Sequence, residues 1–359
     1  MMNDVVISGI QQVGIGVSNL KEAWKWYREN FGMDVRVFEE KAQAGLMKLY
    51  TGGKTRSRHA ALALNLQGGG GFEIWQYTDR VPEAPEFNIC LGDLGIFAVK
   101  IKTKDVENTY EQFKLRNLDL LDKVQQDPQG EKYFFVKDPY GNLFQVVNGD
   151  SWFRKEKKLT GAAYGVMIGT SNMDLTKKFY SNILGYDQVV YDEKRVFNDF
   201  AGINGGDQKV RRVLLYHSKD RLGAFSRMFG TSYIELIESA NREPRKIFQG
   251  RLWGDLGFIH ICYDIRGMRK MKKMCQQIGS PFTVDSETDH ESGVFDMGEA
   301  SGHFAYVEDP DGTLIEFVET HKIPIIKKLG WYMNLSKRHP EKALPNWMIK
   351  ALRFNKVKD

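Results

Sequence analysis

The sequence predicts an α+β fold made of four βαβββ modules. Two observations carry that prediction: the chain repeats itself in the order A, B, A′, B′, and every unit pairs a β-rich run with one capped helix. Repeats are sought first because they decide the whole architecture. Displaced by 153 residues, Ser18-Asn19 falls on Ser171-Asn172, Tyr27 on Tyr180, Gly32 on Gly185 and Asp34 on Asp187. "VFEEK" (37–41) falls on "VYDEK" (190–194). Later, "GDLGIFAVKI" (92–101) resembles "GDLGFIHICY" (254–263), and "VKDPYGNLFQVV" (136–147) resembles "VEDPDGTLIEFV" (307–318).

The elements follow in order. "QQVGIGV" opens the first unit as a strand. Ser18-Asn19 before "LKEAWKWYREN" supplies a helix N-cap. Leu20, Ala23, Trp24 and Tyr27 recur at helical spacing, and Gly32 ends the helix. Further strands follow, with "DPYG" and "DPDG" as tight turns between the last two strands of the B units. Modules are expected at residues 5–80, 88–150, 158–240 and 254–322, with seams at Pro82–Pro85 and Asn148–Lys158.

Composition bounds the function. The 359 residues are 42% hydrophobic, enough for more than one domain. No run of about 18 apolar residues reads as a membrane span, and the N-terminal residues have no signal-peptide pattern. Cys90, Cys262 and Cys275 are odd in number and widely spaced, which argues against a disulfide framework and for a cytoplasmic location. Cys262 reads as a small core residue. The net charge of +5 is concentrated in residues 325–359, where nine Lys and Arg face Glu341 and Asp359. The body is therefore slightly acidic, and no nucleic-acid partner is expected. The basic tail is a separate feature. Its "PNWMIKALRF" suits a short amphipathic helix, which packs on the body in the ordinary reading and lies on an anionic membrane in the alternative.

This pattern resembles the vicinal-oxygen-chelate superfamily, which includes glyoxalase I, extradiol dioxygenases and methylmalonyl-CoA epimerase. The resemblance covers residues 5–320. It implies that modules pair into two open half-barrels, and that a divalent metal sits inside a barrel with open positions for two vicinal substrate oxygens. The superfamily's ligands come from the first and last strands of each module. Those positions are Gln12 and Glu73 in the first module, Ala98 and Gln145 in the second, about Gly165 and Glu235 in the third, and His260 and Glu316 in the fourth. If neighbours pair, the sets are Gln12/Glu73/Gln145 and Glu235/His260/Glu316. If the outer modules pair, one complete set results: Gln12, Glu73, His260 and Glu316, the ligand types of one class of glyoxalase I. Glu73 lies between Phe72 and Ile74, and Glu316 between Ile315 and Phe317, so strand alternation turns each carboxylate away from the apolar neighbours.

The resemblance implies a Zn²⁺, Ni²⁺, Co²⁺ or Mn²⁺ lyase or isomerase. Glu316 or Glu73 would abstract a proton beside a carbonyl, and the metal would hold the enediolate. Glyoxalase I carries an Arg four residues after its first ligand; here that place is Gly16, so a glutathione adduct is not implied. "YVEDPDGTLIE" (306–316) matches the end of the extradiol dioxygenase signature, which gives a ring-cleaving Fe(II) enzyme as the alternative. A binding protein without catalysis is a third reading. His303 is a candidate acid/base beside Glu316, and the segment 285–302 a candidate lid. "LQGGGGF" (66–72) reads as a flexible turn, since no phosphate-loop Lys follows. The expected partners are a small-molecule substrate and a second copy in a homodimer.

Overall fold

Residues 5–289, 295–297, 300–326 and 331–357 are described by this computed structural model. Module 1 comprises β1 (Val6–Gly16), α1 (Leu20–Phe31), β2 (Val35–Gln43), β3 (Ser57–Asn65) and β4 (Gly69–Tyr77). Module 2 comprises β5 (Gly95–Thr103), α2 (Val106–Leu115), the two-residue strands β6 (Asp119–Leu120) and β7 (Gln125–Gln126), β8 (Lys132–Lys137) and β9 (Leu143–Asn148). Module 3 comprises β10 (Thr160–Thr170), α3 (Met173–Leu184), β11 (Gln188–Arg195), β12 (Val210–Tyr216), α4 (Ser226–Phe229) and β13 (Tyr233–Ser239). Module 4 comprises β14 (Gly257–Arg266), α5 (Met268–Gln277), β15 (Val284–Asp285), α6 (Ser286–Asp289), β16 (Phe295–Met297), β17 (Ala300–Glu308) and β18 (Leu314–Ile326). The tail adds β19 (Trp331–Asn334) and α7 (Asn346–Lys350). No helix among the described residues is long and apolar enough to cross a membrane.

The helix signals act as their chemistry dictates. Asn19 caps α1, its side chain accepting from the amides of Lys21 and Glu22, and Gly32 closes the helix with a φ of 65°. Asn172 and Gly185, with a φ of 72°, do the same for α3.

The sheets decide how the modules pair. β1 runs antiparallel to β14, joining modules 1 and 4 into a sheet ordered β15-β17-β18-β14-β1-β4-β3-β2. β10 runs antiparallel to β5, joining modules 3 and 2 into a sheet ordered β11-β12-β13-β10-β5-β9-β8-β6. The outer modules thus form one half-barrel and the inner modules the other. Their backs share a single apolar core, to which Val13 and Phe72, Val99 and Phe144, Val166 and Ile234, and Ile261 and Phe317 contribute from the four modules in turn.

A duplicated latch ties the half-barrels together. Tyr27 on α1 donates to Asp138 of the "DPYG" turn at 2.6 Å. Tyr180 on α3 donates to Asp309 of "DPDG" at 3.1 Å. Each turn Asp also accepts backbone amides: Tyr140 and Asn142 for Asp138, Asp311 and Thr313 for Asp309. The acidic turn residue therefore closes its own hairpin and anchors the preceding module's helix.

The glycine run at 68–71 turns the chain as expected but is buried rather than flexible. A Cβ on Gly69 would stand 1.8 Å from the Met228 carbonyl oxygen, and one on Gly68 would stand 2.5 Å from the Ala162 amide nitrogen. These glycines let the β3–β4 hairpin press against module 3.

Candidate metal centre

In the outer half-barrel, four side chains converge. Gln12 lies on β1, Glu73 on β4, His260 on β14 and Glu316 on β18. His260 Nε2 stands 3.2 Å from Glu316 Oε2 and 3.5 Å from Glu73 Oε2. Gln12 Nε2 stands 3.2 Å from Glu316 Oε2 and 3.4 Å from Glu73 Oε2. One potential ligand atom from each of Glu73, His260 and Glu316 lies within 4.8 Å of the others. The parity expected of the two carboxylates holds: Phe72, Ile74, Ile315 and Phe317 sit in the shared core, while the acids line the lumen.

Backbone geometry makes room for the histidine. Gly14 pairs with His260 across β1 and β14, and a Cβ there would come 2.3 Å from the imidazole Cε1. Trp253 stacks on the imidazole with ring centres 6.1 Å apart, and Tyr306 meets it edge-on at 5.4 Å.

The electrostatics of the cluster are unbalanced. Burial pushes the Glu73 carboxyl pKa up, and the nearby Glu316 carboxylate pushes it further. Burial alone would push the His260 pKa down, but the carboxylates of Glu316 and Glu73 outweigh it and leave it raised. Within this cluster, Gln12 Oε1 and both ring nitrogens of His260 are buried and have no hydrogen-bond partner. The imidazole is close to the carboxylates but not aimed at them with hydrogen-bonding geometry. Side chains that converge on a common point, with orphaned lone pairs and two acids side by side, are the donor set a divalent cation satisfies.

The inner half-barrel holds the corresponding places in the same strand register. Gln12 opposes Gly71 two residues before Glu73, and Gly165 opposes Tyr233 two residues before Glu235. By the same reading Ala98 stands for His260, and Gln145 for Glu316. Its acid is already neutralised. Glu235 Oε2 meets Lys100 Nζ at 2.5 Å, Glu235 Oε1 meets Arg212 Nε at 2.5 Å, and Tyr191 donates to Glu235 Oε1 at 2.8 Å. Lys100 also donates to Gln145.

Of the predicted site residues, the fold brings together Gln12, Glu73, His260 and Glu316, but not His303. His303 and Asp285 form a buried pair at 2.6 Å, and Asp285 in turn binds Lys272 of α5. Its strand neighbours Phe304 and Tyr306 face the cavity instead, so alternation turns His303 to the other side of β17. Gly16 cannot be replaced by a side chain in this backbone, since a Cβ would lie 1.9 Å from the Asp255 carbonyl oxygen. Within the candidate lid, residues 290–294 and 298–299 lie outside the described residues.

Sequence reasoning missed Tyr306, Trp253 and Arg58, which line the same cavity. Tyr306 opens the "YVEDPDGTLIE" stretch and was visible as a motif residue. Trp253 and Arg58 left no signal. Cys262 is buried as expected, but on the lumen side, opposite Gln12 and beside Glu316.

Comparison with known proteins agrees with this architecture. Residues 9–146 match the family model of the Glyoxalase/Bleomycin resistance protein/Dioxygenase superfamily. Glyoxalase I from Zea mays is similar over 87% of this chain and 92% of its own, with a TM-score of 0.51 and 15% identity. A proposed dioxygenase from Bacillus subtilis is similar over 98% of this chain and 97% of its own, with a TM-score of 0.54 and 13% identity. No curated protein sequence matches the chain. Residues 9–146 therefore match that superfamily by sequence, and the likeness to the two solved structures extends the shared fold, and the fold alone, across the four modules.

Proposed function

We propose that the protein is a metal-dependent lyase or isomerase whose single centre is held by Gln12, Glu73, His260 and Glu316. The observation that carries this reading is the buried convergence of two carboxylates and an imidazole whose nitrogens have no other partner. The Gln12 side-chain amide needs only a flip to present Oε1 to the same point. A bound divalent cation would supply Lewis-acid polarisation of a carbonyl and a template for two vicinal oxygens. Imidazole with carboxylates and an amide suits Zn²⁺, Ni²⁺, Co²⁺ or Mn²⁺ without choosing among them.

The chain's own residues do the rest. Glu73 and Glu316 approach from opposite sides of the outer half-barrel, so one can take a proton from the carbon beside the carbonyl while the other remains in place. Trp253 and Tyr306 pack around the imidazole and keep water from it. The substrate is an oxygenated molecule, and the Gly16 position supplies no Arg to bind the carboxylate of a glutathione adduct.

The ring-cleaving alternative needs Fe(II) held by two His and one Glu, and the described cluster offers one His. Elemental analysis of wild type beside His260→Ala and Glu73→Ala tests the proposal. The expected result is about one metal per chain, lost in both variants. The metal-loaded protein should then exchange a substrate C–H for deuterium in 2-oxoaldehyde adducts or acyl-CoA acids. Iron as the native metal would favour the dioxygenase, and no metal after reconstitution would leave a binding protein.

A further inference from the structure

We propose that the substrate carries an extended apolar body, of the size of a medium-to-long acyl chain, which lies beneath a roof made by the C-terminal tail. This rests on the metal-centre reading for the position of the oxygenated end only; the apolar end is argued from the cavity itself.

The cavity above Gln12, Glu73 and Glu316 measures about 1310 Å³. Pockets for drug-sized ligands run to roughly 300–1,000 Å³, so this one far exceeds the needs of a three-carbon oxoaldehyde. Its lining includes charged residues of β2 and of the tail, such as Glu39, Glu40, Lys350 and Arg353, but its candidate ligand side chains lie together. Gln12, Glu73 and Glu316 form the floor, and Arg58 stands nearby on β3. Arg58 gives Nη2 to Glu40 at 2.6 Å, but its buried Nη1 has no partner and remains available to another oxygen on the substrate.

Away from that floor the lining changes character. Leu64, Met228 and Phe229 form one wall, contributed by β3 and α4. The tail joins this wall and closes the cavity through Leu344, Met348 and Leu352, which pack in one cluster with Leu64, Met228 and Phe229. The tail is fixed at both ends of this span. Leu344 donates its amide to the Ala224 carbonyl at 2.9 Å, and Val357 donates to the Asp34 carbonyl at 2.8 Å. Lys356 pairs with Asp34 at 3.2 Å and Glu156 at 3.1 Å. Lys356 pairs with the body, Lys350 and Arg353 border the cavity, and Leu344, Met348 and Leu352 supply the tail's apolar lining. Neither half-barrel alone supplies this wall, so the tail sets what length of apolar chain fits.

The test is calorimetric binding of 2-hydroxy fatty acids from four to twelve carbons to the full chain, with and without reconstituted metal. Burial of each methylene should tighten binding about fourfold, until the cavity is filled, in both forms of the protein. Leu352→Asp and Met348→Asp, at half-buried positions, should flatten that dependence and leave the affinity for the four-carbon acid within about twofold. Affinity independent of chain length in the wild type overturns the proposal. So does a length dependence that survives both tail variants. A length dependence without any increment from metal upholds the apolar pocket and defeats the metal reading, so the two failures are told apart. If a tail variant does not fold, the wild-type series still decides the substrate class.

Discussion

The two half-barrels share one backbone plan and differ in what fills the lumen. At corresponding places the outer barrel has Gln12, Glu73, His260 and Glu316, and the inner has Gly165, Glu235, Ala98 and Gln145. The inner barrel has in addition Lys100 where the outer has Cys262, and Arg212 where the outer has Ala60. Those two cations change the fate of the same acid. Burial raises both carboxyls, but Arg212 and Lys100 overcome it at Glu235 and hold its pKa down to about 2. Glu73, beside Glu316, remains raised. A buried acid is tolerated with an internal cation in one barrel and calls for an external one in the other. Arg212 also lies over the Phe200 ring at 4.0 Å, so the inner lumen is packed with side chains rather than open to a ligand.

The largest effect should come from converting one barrel into the other. The double variant Gln12→Gly/Cys262→Lys places an ammonium where the inner barrel has one, with the space that Gly165 leaves for Lys100. Metal content should fall from about one per chain to background. The melting temperature should shift by only a few degrees, because the new ammonium neutralises the acids. Elemental analysis beside a thermal melt reads both; full metal retention would break the comparison.

Next in size is Arg212→Leu, which leaves the fully buried Glu235 with Lys100 as its remaining cation and takes the guanidinium from Asp199 as well. Removing one partner of a buried pair costs about 3–5 kcal/mol, measurable by urea denaturation, with metal content unchanged. The matching outer change, Glu73→Gln, removes a like-charge conflict and should cost far less stability while eliminating the metal.

A pH titration sharpens the same contrast. The folded pKa of Glu235, about 2, lies below its ordinary 4.5. Its stabilisation is therefore fully present above about pH 4.5 and lost as pH falls through 2, amounting to about 3 kcal/mol at most. Asp264 on β14 has the opposite sign. Burial raises its carboxyl from 3.8 to about 7, so its protonated form favours folding below pH 3.8, and that contribution disappears as pH rises through 7. Denaturation curves from pH 2 to 8 should show the acid-side loss in wild type and a smaller one in Arg212→Leu, where Lys100 alone faces Glu235.

The smallest expected effect belongs to the latches. Tyr27→Phe and Tyr180→Phe each remove one buried hydroxyl but leave the Asp amide bonds intact, for a cost of about 1 kcal/mol apiece. Similar values for both would confirm that the two latches are equivalent; additivity in the double variant would show that they act independently.

Much of this was readable because it is local. The caps at Asn19 and Asn172, the stops at Gly32 and Gly185, and the Asp-Pro turns depend on a few neighbouring residues. Glu73 and Glu316 were legible because their apolar neighbours fix strand parity. His303 is placed by that same parity: it meets Asp285, itself paired with Lys272, on the other face of β17, and only folding brings them there. Lys100 and Arg212 gave no warning, because an isolated cation in a strand reads as exposed until a buried acid is found beside it.

The sequence by itself determined four βαβββ modules, their helices and turns, and which residues could serve as ligands, since periodicity, capping and repeat spacing are properties of the chain. Tertiary structure alone decided that module 1 pairs with module 4, that Gln12 and Glu316 meet although they are 304 positions apart, and that the tail returns to roof the cavity. Those outcomes depend on which strand edges find each other and which charges are buried together, and such contacts exist only once the sheets have closed.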